Sequence, residues 1–237
     1  MIKRQIPNLI TLCNLACGVL SVFVALAYHE PVLAAMFICL GILFDFFDGL
    51  TARLLGVSSP MGKELDSLAD VVTSGVAPAA ILFTLCYSPL GYIGLRWLLI
   101  LFLLIPLFAA YRLAKFNLDT RQTHSFLGLP VPSQALVWVG LALSQQIDNS
   151  ATGLPWLTVA IVVLSLILDV LMVSELPLFS LKFNFKDLSW KTNSIQYIFL
   201  IVCAVIIALL RDWIAISVII LWYIVFSLFT QKRNHAQ

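Results

Sequence analysis

The stretch VLAAMFICLGILFDFFDGLTARL, residues 32–54, combines a long apolar run with two aspartates, Asp45 and Asp48, close to its end. A helix that crosses a bilayer needs roughly 20 mostly apolar residues, and this stretch supplies them. Charged side chains inside membrane helices are costly and usually serve a function. The stretch therefore predicts a membrane helix with a functional site at one of its ends.

Similar apolar runs cover most of the chain. Of its 237 residues, 61% are hydrophobic and 11% are charged, whereas a soluble domain carries about 25% charged residues. Backbone groups in lipid must be hydrogen-bonded within their own segment, and strand alternation is absent, so we expect helices. The composition excludes a water-soluble globule and predicts an all-α polytopic membrane protein. Eight spans are predicted, at about residues 9–28, 32–54, 67–87, 92–114, 131–147, 155–175, 195–210 and 212–230.

The basic residues predict the orientation of these spans. With the N-terminus in the cytoplasm, twelve of the fourteen Lys and Arg residues fall on the cytoplasmic side, and Arg96 and Arg211 fall on the other side. This bias follows the positive-inside rule and predicts that both termini are cytoplasmic. We interpret the first run as a membrane helix and not as a cleaved signal peptide. We expect the protein in the inner membrane of a prokaryotic cell.

One long polar stretch divides the chain. Residues 180–193 interleave Lys with Phe and Trp, a composition typical of a segment that lies at the membrane interface. We therefore predict a transmembrane core at residues 1–175, a cytoplasmic interfacial segment at 176–194 and two additional transmembrane helices at 195–230.

Four aspartates form the strongest candidate site. Asp45 and Asp48 are three residues apart and Asp66 and Asp70 are four apart, so each pair lies on one helical face. Two adjacent antiparallel helices would bring the pairs together, and four carboxylates would then repel one another unless a cation neutralised them. Oxygen ligands favour Mg²⁺, Mn²⁺ or Ca²⁺ over zinc. The alternative is that these acids only reach the interface and are solvated there.

The spacing of these acids resembles a family signature. The pattern Asp45-x2-Asp48-Gly49-x2-Ala52-Arg53-x8-Gly62-x3-Asp66-x3-Asp70 is similar to that of the CDP-alcohol phosphotransferases, and the resemblance covers about residues 6–175. It implies a six-helix core, a homodimer and two divalent cations, Mg²⁺ or Mn²⁺. It also implies that all four aspartates bind metal and that Asp70 is the general base. The residues assigned to the CDP-diacylglycerol donor are Gly49, Arg53, Ser59, Gly62, Asn8 and Thr11.

Further stretches resemble the phosphatidylserine synthase branch of that family. They are IPNLITLCNLACG at residues 6–18, RLAKFN at 112–117 and the Gly128-Leu129-Pro130-x-Pro132 motif. The reaction implied is transfer of a phosphatidyl group from CDP-diacylglycerol to L-serine, with release of CMP on the cytoplasmic side. Arg112, Lys115 and Asn14 are the residues that we expect to contact serine.

Several alternatives remain open at this point. Arg112 and Lys115 could be topological charges only, and Asn8 and Asn14 could merely pair helices. Asp169, deep in the sixth predicted span, could pair with a Lys or Arg or assist the acceptor site. Glycerol phosphate or inositol phosphate could be the acceptor in place of serine. An ion-coupled transporter would instead predict acids near the bilayer midplane and inverted repeats, which this chain does not show. No nucleic-acid partner is expected.

Overall fold

The computed structural model describes residues 5–57, 59–92, 94–118, 128–144, 155–176 and 190–234. Within these ranges the chain is helical and has no strand, which confirms the all-α prediction. A π-helical segment, Val71–Val76, joins α3 to α4, and a 3-10 helix, Arg96–Leu103, leads into α5. The α-helices are α1 (Gln5–Ala27), α2 (Pro31–Leu55), α3 (Pro60–Asp70), α4 (Ala77–Tyr92), α5 (Leu104–Leu118), α6 (Val131–Leu143), α7 (Pro155–Val173), α8 (Trp190–Leu210) and α9 (Ile214–Asn234).

Apolar helices occupy all eight predicted positions. Within the described part of the chain, five are long and apolar enough to cross a membrane: Gln5–Ala27, Pro31–Leu55, Pro60–Gly91, Arg96–Leu118 and Trp156–Val173. Three are shorter: Val131–Leu143, Gln196–Leu210 and Ile214–Leu228. Large apolar side chains such as Leu9, Phe23 and Leu107 point outward and are 62–64% exposed. This is an integral membrane protein, because such a surface is stable in lipid and not in water.

The third helical stretch begins earlier than predicted. Its expected start was residue 67, but α3 begins at Pro60, directly after Ser59. The Ser59 hydroxyl accepts a hydrogen bond from the backbone N–H of Gly62 at 2.9 Å, which caps the helix. The first turns of α3 are polar, so the apolar run from which this span was predicted begins only after them.

The turn between α2 and α3 brings Asp66 to Asp45 and Asp48. Gly56 ends α2 in the left-handed conformation, at φ 61° and ψ 30°, and its N–H bonds to the carbonyls of Ala52 and Arg53. A residue without Cβ adopts this conformation at little cost. Ser59 then starts α3 three residues later. The short reversal lets α3 return toward the part of α2 that carries Asp45 and Asp48.

Small residues pack α1 and α2 against α4 and α6. Ala25, Ala34, Ala77 and Ala135 are fully buried in one cluster. Short side chains let helix backbones approach closely, which is how helices in membranes gain packing energy. A second cluster, which includes the buried side chains of Phe102, Ile105 and Trp138, fills the space among α4, α5, α6 and α7.

The last two helices attach to this bundle through α9. The Ser217 hydroxyl on α9 donates to the carbonyl of Val137 on α6 at 2.6 Å. A Cβ at Gly140 would lie 2.8 Å from the backbone nitrogen of Ser217, so the two helices are in close contact. α8 packs on α9. Most of the predicted interfacial segment, residues 177–189, lies outside the described residues, and the division at 176 and 194 stays a prediction.

Candidate active site

Three of the four predicted metal-binding carboxylates meet between α2 and α3. One carboxylate oxygen from each of Asp45, Asp48 and Asp66 lies within 4.8 Å of the others. Asp48 is buried, and the other two are partly buried. The prediction that antiparallel helices would bring the two pairs together is confirmed for these three residues.

Helix α1 supports this cluster from one side. The Thr11 hydroxyl donates to Oδ2 of Asp48 at 2.5 Å and lies 3.0 Å from the Pro7 carbonyl. Thr11 is 3% exposed. A hydrogen bond to a carboxylate in such a setting is stronger than one between neutral groups. Thr11 therefore fixes the orientation of Asp48 directly.

Asp70 lies one turn beyond Asp66, at the end of α3, and is not part of the three-carboxylate group. It is 8% exposed. The side-chain amide of Asn14 donates to its Oδ1 at 3.4 Å. Asn14, which was predicted to contact serine, is fully buried, and it does not line the pocket described below. Its amide therefore contacts Asp70, and its contact with serine stays a prediction.

The acids fit a hard divalent cation. Oδ1 of Asp66 is buried and has no hydrogen-bond partner among the described residues. Within the same residues, none of the four carboxylates forms a salt bridge. Buried carboxylates without a counter-charge are unstable, whereas oxygen donors of this kind bind Mg²⁺ or Mn²⁺. The cluster is therefore a site that could bind metal.

A pocket of about 240 Å³ opens beside this cluster. Both Asp48 and Asp66 reach its wall. The donor-contacting residues predicted from the sequence line the same pocket, apart from Arg53; they are Asn8, Thr11, Gly49, Ser59 and Gly62. Residues from α1, α2 and α3 thus converge on one space that adjoins the acids.

The two glycines of this pocket have different surroundings. A Cβ at Gly49 would meet nothing closer than an Arg53 nitrogen at 3.9 Å, so the backbone there is open to a ligand. A Cβ at Gly62 would lie 3.1 Å from both Asn8 Oδ1 and Ser59 Oγ. A side chain at residue 62 would push apart two polar groups of the pocket wall.

Two basic residues lie at or next to the pocket. Arg53 is exposed, and its Nε donates to the Gly49 carbonyl at 3.0 Å. Lys63 lines the pocket, and its Nζ donates to the Asn117 carbonyl on α5 at 3.0 Å. Lys63 is one of the twelve basic residues predicted on the cytoplasmic side, and no binding role was assigned to it from the sequence. Its position directly after Gly62 of the signature was the signal that could have identified it.

The structure separates the two basic residues that were predicted to contact serine. Arg112 is 9% exposed and interacts electrostatically with Asp70. Its Nε is buried and has no hydrogen-bond partner within the described ranges. Lys115 instead forms a salt bridge with Glu175 at 3.1 Å, beyond the end of α7. Arg112 is therefore buried near Asp70, and Lys115 joins two helix ends; the contact of either residue with serine stays a prediction.

Asp169 has a different partner from the one expected. Its Oδ1 accepts a hydrogen bond from the side-chain amide of Gln134 at 2.7 Å, and both residues are 1% exposed. Pairing with a Lys or Arg was one of the two expectations, and it is wrong for the part of the chain that the structure describes. The amide gives Oδ1 a hydrogen bond without bringing a second charge into the bundle, and Oδ2 of Asp169 has no hydrogen-bond partner among the described residues.

A family model described as CDP-alcohol phosphatidyltransferase matches residues 4–171. The chain belongs to this family. The match includes α1 to α6 and nearly all of α7, and therefore all four acids and the pocket.

Several proteins that are similar in sequence to this chain share one name. The CDP-diacylglycerol–serine O-phosphatidyltransferase of Helicobacter pylori strain J99 is 32% identical over 94% of this chain and 89% of its own length. The protein of that name from Bacillus subtilis is 38% identical over 60% of this chain and 77% of its own length. The one from Methanocaldococcus jannaschii is 34% identical over 72% of each chain.

Proposed function

We propose that this chain is a CDP-diacylglycerol–serine O-phosphatidyltransferase, a phosphatidylserine synthase. It transfers the phosphatidyl group of CDP-diacylglycerol to the hydroxyl of L-serine and releases CMP. The observation that carries the proposal is the group of three carboxylates within 4.8 Å at the wall of a pocket between membrane helices. The relatives that share the name support serine as the acceptor.

The donor nucleotide binds in the pocket. Its diphosphate lies toward the acids, and Gly49 lets it approach the α2 backbone. Asn8, Thr11, Ser59 and Gly62 surround the rest of the CDP moiety, and Arg53 supplies a positive charge for the pyrophosphate from the rim. The diacylglycerol chains remain in the lipid, since the pocket opens among helices whose outer surfaces are apolar.

Asp45, Asp48, Asp66 and Asp70 would hold two divalent cations, Mg²⁺ or Mn²⁺. When bound, they supply charge neutralisation for the diphosphate and for the departing CMP. The fit rests on the unpartnered Oδ1 of Asp66 and on the all-oxygen donor set.

Asp70 is the general base. A serine hydroxyl is a weak nucleophile until its proton is removed. As the serine oxygen attacks the β-phosphorus of the donor, Asp70 accepts the hydroxyl proton. The new P–O bond to serine forms while the P–O bond to CMP breaks, and CMP leaves with the electron pair. Asn14 holds one oxygen of Asp70 through a hydrogen bond during this step.

Arg112 binds the serine carboxylate. It is buried beside Asp70 with an unpartnered Nε, and a guanidinium can bind a carboxylate through two parallel hydrogen bonds. Lys115 contributes less to the same binding than Arg112, because it pairs with Glu175.

The enzyme functions in the inner membrane of a prokaryotic cell as a homodimer, with both termini and the active site on the cytoplasmic side. Support for this orientation comes from the clustering of Lys63, Arg112 and Lys115 at the same end of the bundle as the acids.

Purified protein, CDP-diacylglycerol and a panel of alcohols test the proposal. With Mg²⁺ or Mn²⁺, CMP release is expected to depend on L-serine and to be low with glycerol phosphate, inositol phosphate or ethanolamine. Turnover with one of the phosphate-bearing acceptors and not with serine would instead assign the chain to another branch of its family.

A further inference from the structure

The helix that carries Asp70 changes its winding immediately after that residue. Residues Val71–Val76 form a π-helical segment, and such segments are rare and occur often at functional sites. Thr73 lies within it and is fully buried. Its hydroxyl donates to the backbone carbonyl of Asn14 on α1 at 3.0 Å. Asn14 is the residue whose side chain contacts Asp70.

Thr73 packs tightly against two glycines, Gly18 on α1 and Gly41 on α2. A Cβ at Gly41 on α2 would lie 2.6 Å from the Thr73 methyl group and 2.9 Å from Oδ1 of Asn14. A Cβ at Gly18 on α1 would lie 2.8 Å from the Thr73 backbone Cα and would also meet its hydroxyl. Helices α1 and α2 can therefore reach the π-helical segment only because both residues lack a side chain.

We propose that Thr73 is a positioning residue for the transfer reaction. Its hydroxyl fixes the α1 backbone at Asn14, its methyl group packs against Gly41, and together these contacts hold the Asn14 amide against Asp70. The proposal rests on the function proposed above, in which Asp70 takes the acceptor proton. It adds a residue that does not touch substrate and acts through Asn14.

Without contacts that hold Asn14, the Asp70 side chain would be free to change its orientation. Asp70 ends α3, and its hydrogen bond from Asn14 is long at 3.4 Å, so small movements of Asn14 would break it. Oδ1 of Asn14 is buried without a partner within the described residues, so its own side chain has no second hydrogen bond to hold it. The backbone bond from Thr73 supplies that restraint.

The chain offers a matched control in Thr84. Its hydroxyl reaches the α1 carbonyl of Ala25 at 2.9 Å, as Thr73 reaches that of Asn14, and it also reaches the Ala80 carbonyl on its own helix at 3.0 Å. It lies on α4, about three helical turns beyond Thr73 and away from Asp70. Thr73→Val and Thr84→Val each remove one hydroxyl that ties this helical stretch to α1.

The experiment measures kcat and KM for whichever acceptor the wild type uses, so it holds even where serine is not that acceptor. Thr73→Val is expected to lower kcat about 2- to 12-fold, the range for one lost hydrogen bond, with both KM values unchanged. Thr73→Ser keeps the hydroxyl and is expected to retain more kcat than Thr73→Val. Thr84→Val is expected to keep wild-type kcat while it lowers the unfolding temperature as much as Thr73→Val does.

A second comparison uses Gly41. Gly41→Ala is expected to lower kcat by roughly tenfold or more, because the new Cβ displaces Thr73 and Asn14. Adding Thr73→Ser removes the methyl group that the Cβ meets first, so the double variant is expected to recover part of this loss. Equal loss of kcat in Thr73→Val and Thr84→Val, or no recovery in the double variant, would show that Thr73 has only a structural role.

Discussion

Thr11 and Asp48, which are 37 residues apart in the sequence, are joined by a hydrogen bond of 2.5 Å from the threonine hydroxyl to Oδ2 of the carboxylate. The bond ties the first helix to the cluster of three carboxylates. Thr11 also lines the adjoining pocket. One small side chain therefore connects the pocket to the acids.

Loss of this bond is expected to weaken metal activation. Hydrogen bonds to charged groups contribute about 1.5–3 kcal/mol, or roughly 10–150-fold in an equilibrium constant. Thr11→Val is expected to raise the Mg²⁺ or Mn²⁺ concentration for half-maximal CMP release by at least the lower part of this range. Thr11→Ser is the control and is expected to stay near wild type. An unchanged metal requirement in Thr11→Val would mean that Asp48 is held by other contacts.

Asp70 and Asp45 are expected to respond differently to the same substitution. Asp70→Asn removes the proposed base, so kcat is expected to fall by at least about 100-fold, the lower end of what a general base contributes. CDP-diacylglycerol binding is expected to persist. Asp45→Asn is expected to lower metal affinity as well, which a metal titration of each variant measures. A near-normal kcat in Asp70→Asn would place the base elsewhere.

Arg112 and Lys115 provide a direct test of serine recognition. Arg112→Ala is expected to raise the serine KM by about 10–150-fold, because the serine carboxylate loses a charged partner. The KM for CDP-diacylglycerol is expected to change little. Lys115→Ala is the matched control on the same helix and is expected to have the smaller effect, since Lys115 already pairs with Glu175. Ethanolamine, which lacks the carboxylate, is expected to be used equally by wild type and Arg112→Ala, and a large difference would refute this role.

The attachment of α9 to α6 is expected to depend on Gly140. A larger residue at this position would overlap Ser217 and the carbonyl of Trp213, which lies 3.0 Å from a Cβ built there. Gly140→Leu is therefore expected to cost about 1–3 kcal/mol of stability, the usual range for overpacking. The midpoint of thermal unfolding in detergent measures the effect. Leu141→Ile on α6 is the control. Gly94→Leu does not serve as a control, because φ at Gly94 is positive and any other residue would be strained there.

The acid cluster could be predicted from the sequence because helical spacing fixes which residues share a face. Once α2 and α3 are antiparallel, Asp45, Asp48 and Asp66 have few ways to avoid one another, and the structure places them together. The pocket residues were predicted from the family resemblance and not from helical spacing, and all of them except Arg53 line the pocket. The eight apolar helices follow from length and hydropathy alone.

Contacts between distant helices could not be predicted in this way. The bond from Gln134 to Asp169 depends on how α6 and α7 pack, and an amide was not considered as the partner of a carboxylate. The role of Thr73 depends on a π-helical segment, for which the sequence has no clear signal. The start of α3 was missed because its first turns are polar and its cap is a single serine.

The most direct test of the central claim follows the serine oxygen itself. Wild-type protein is incubated with CDP-diacylglycerol, a divalent cation and L-serine labelled with ¹⁸O in its side-chain hydroxyl, and the lipid product is analysed by mass spectrometry. The account predicts phosphatidylserine that retains the label, in amounts equal to the CMP released, and neither product when EDTA is present. Release of CMP without labelled phosphatidylserine, or equal turnover in EDTA, would contradict it.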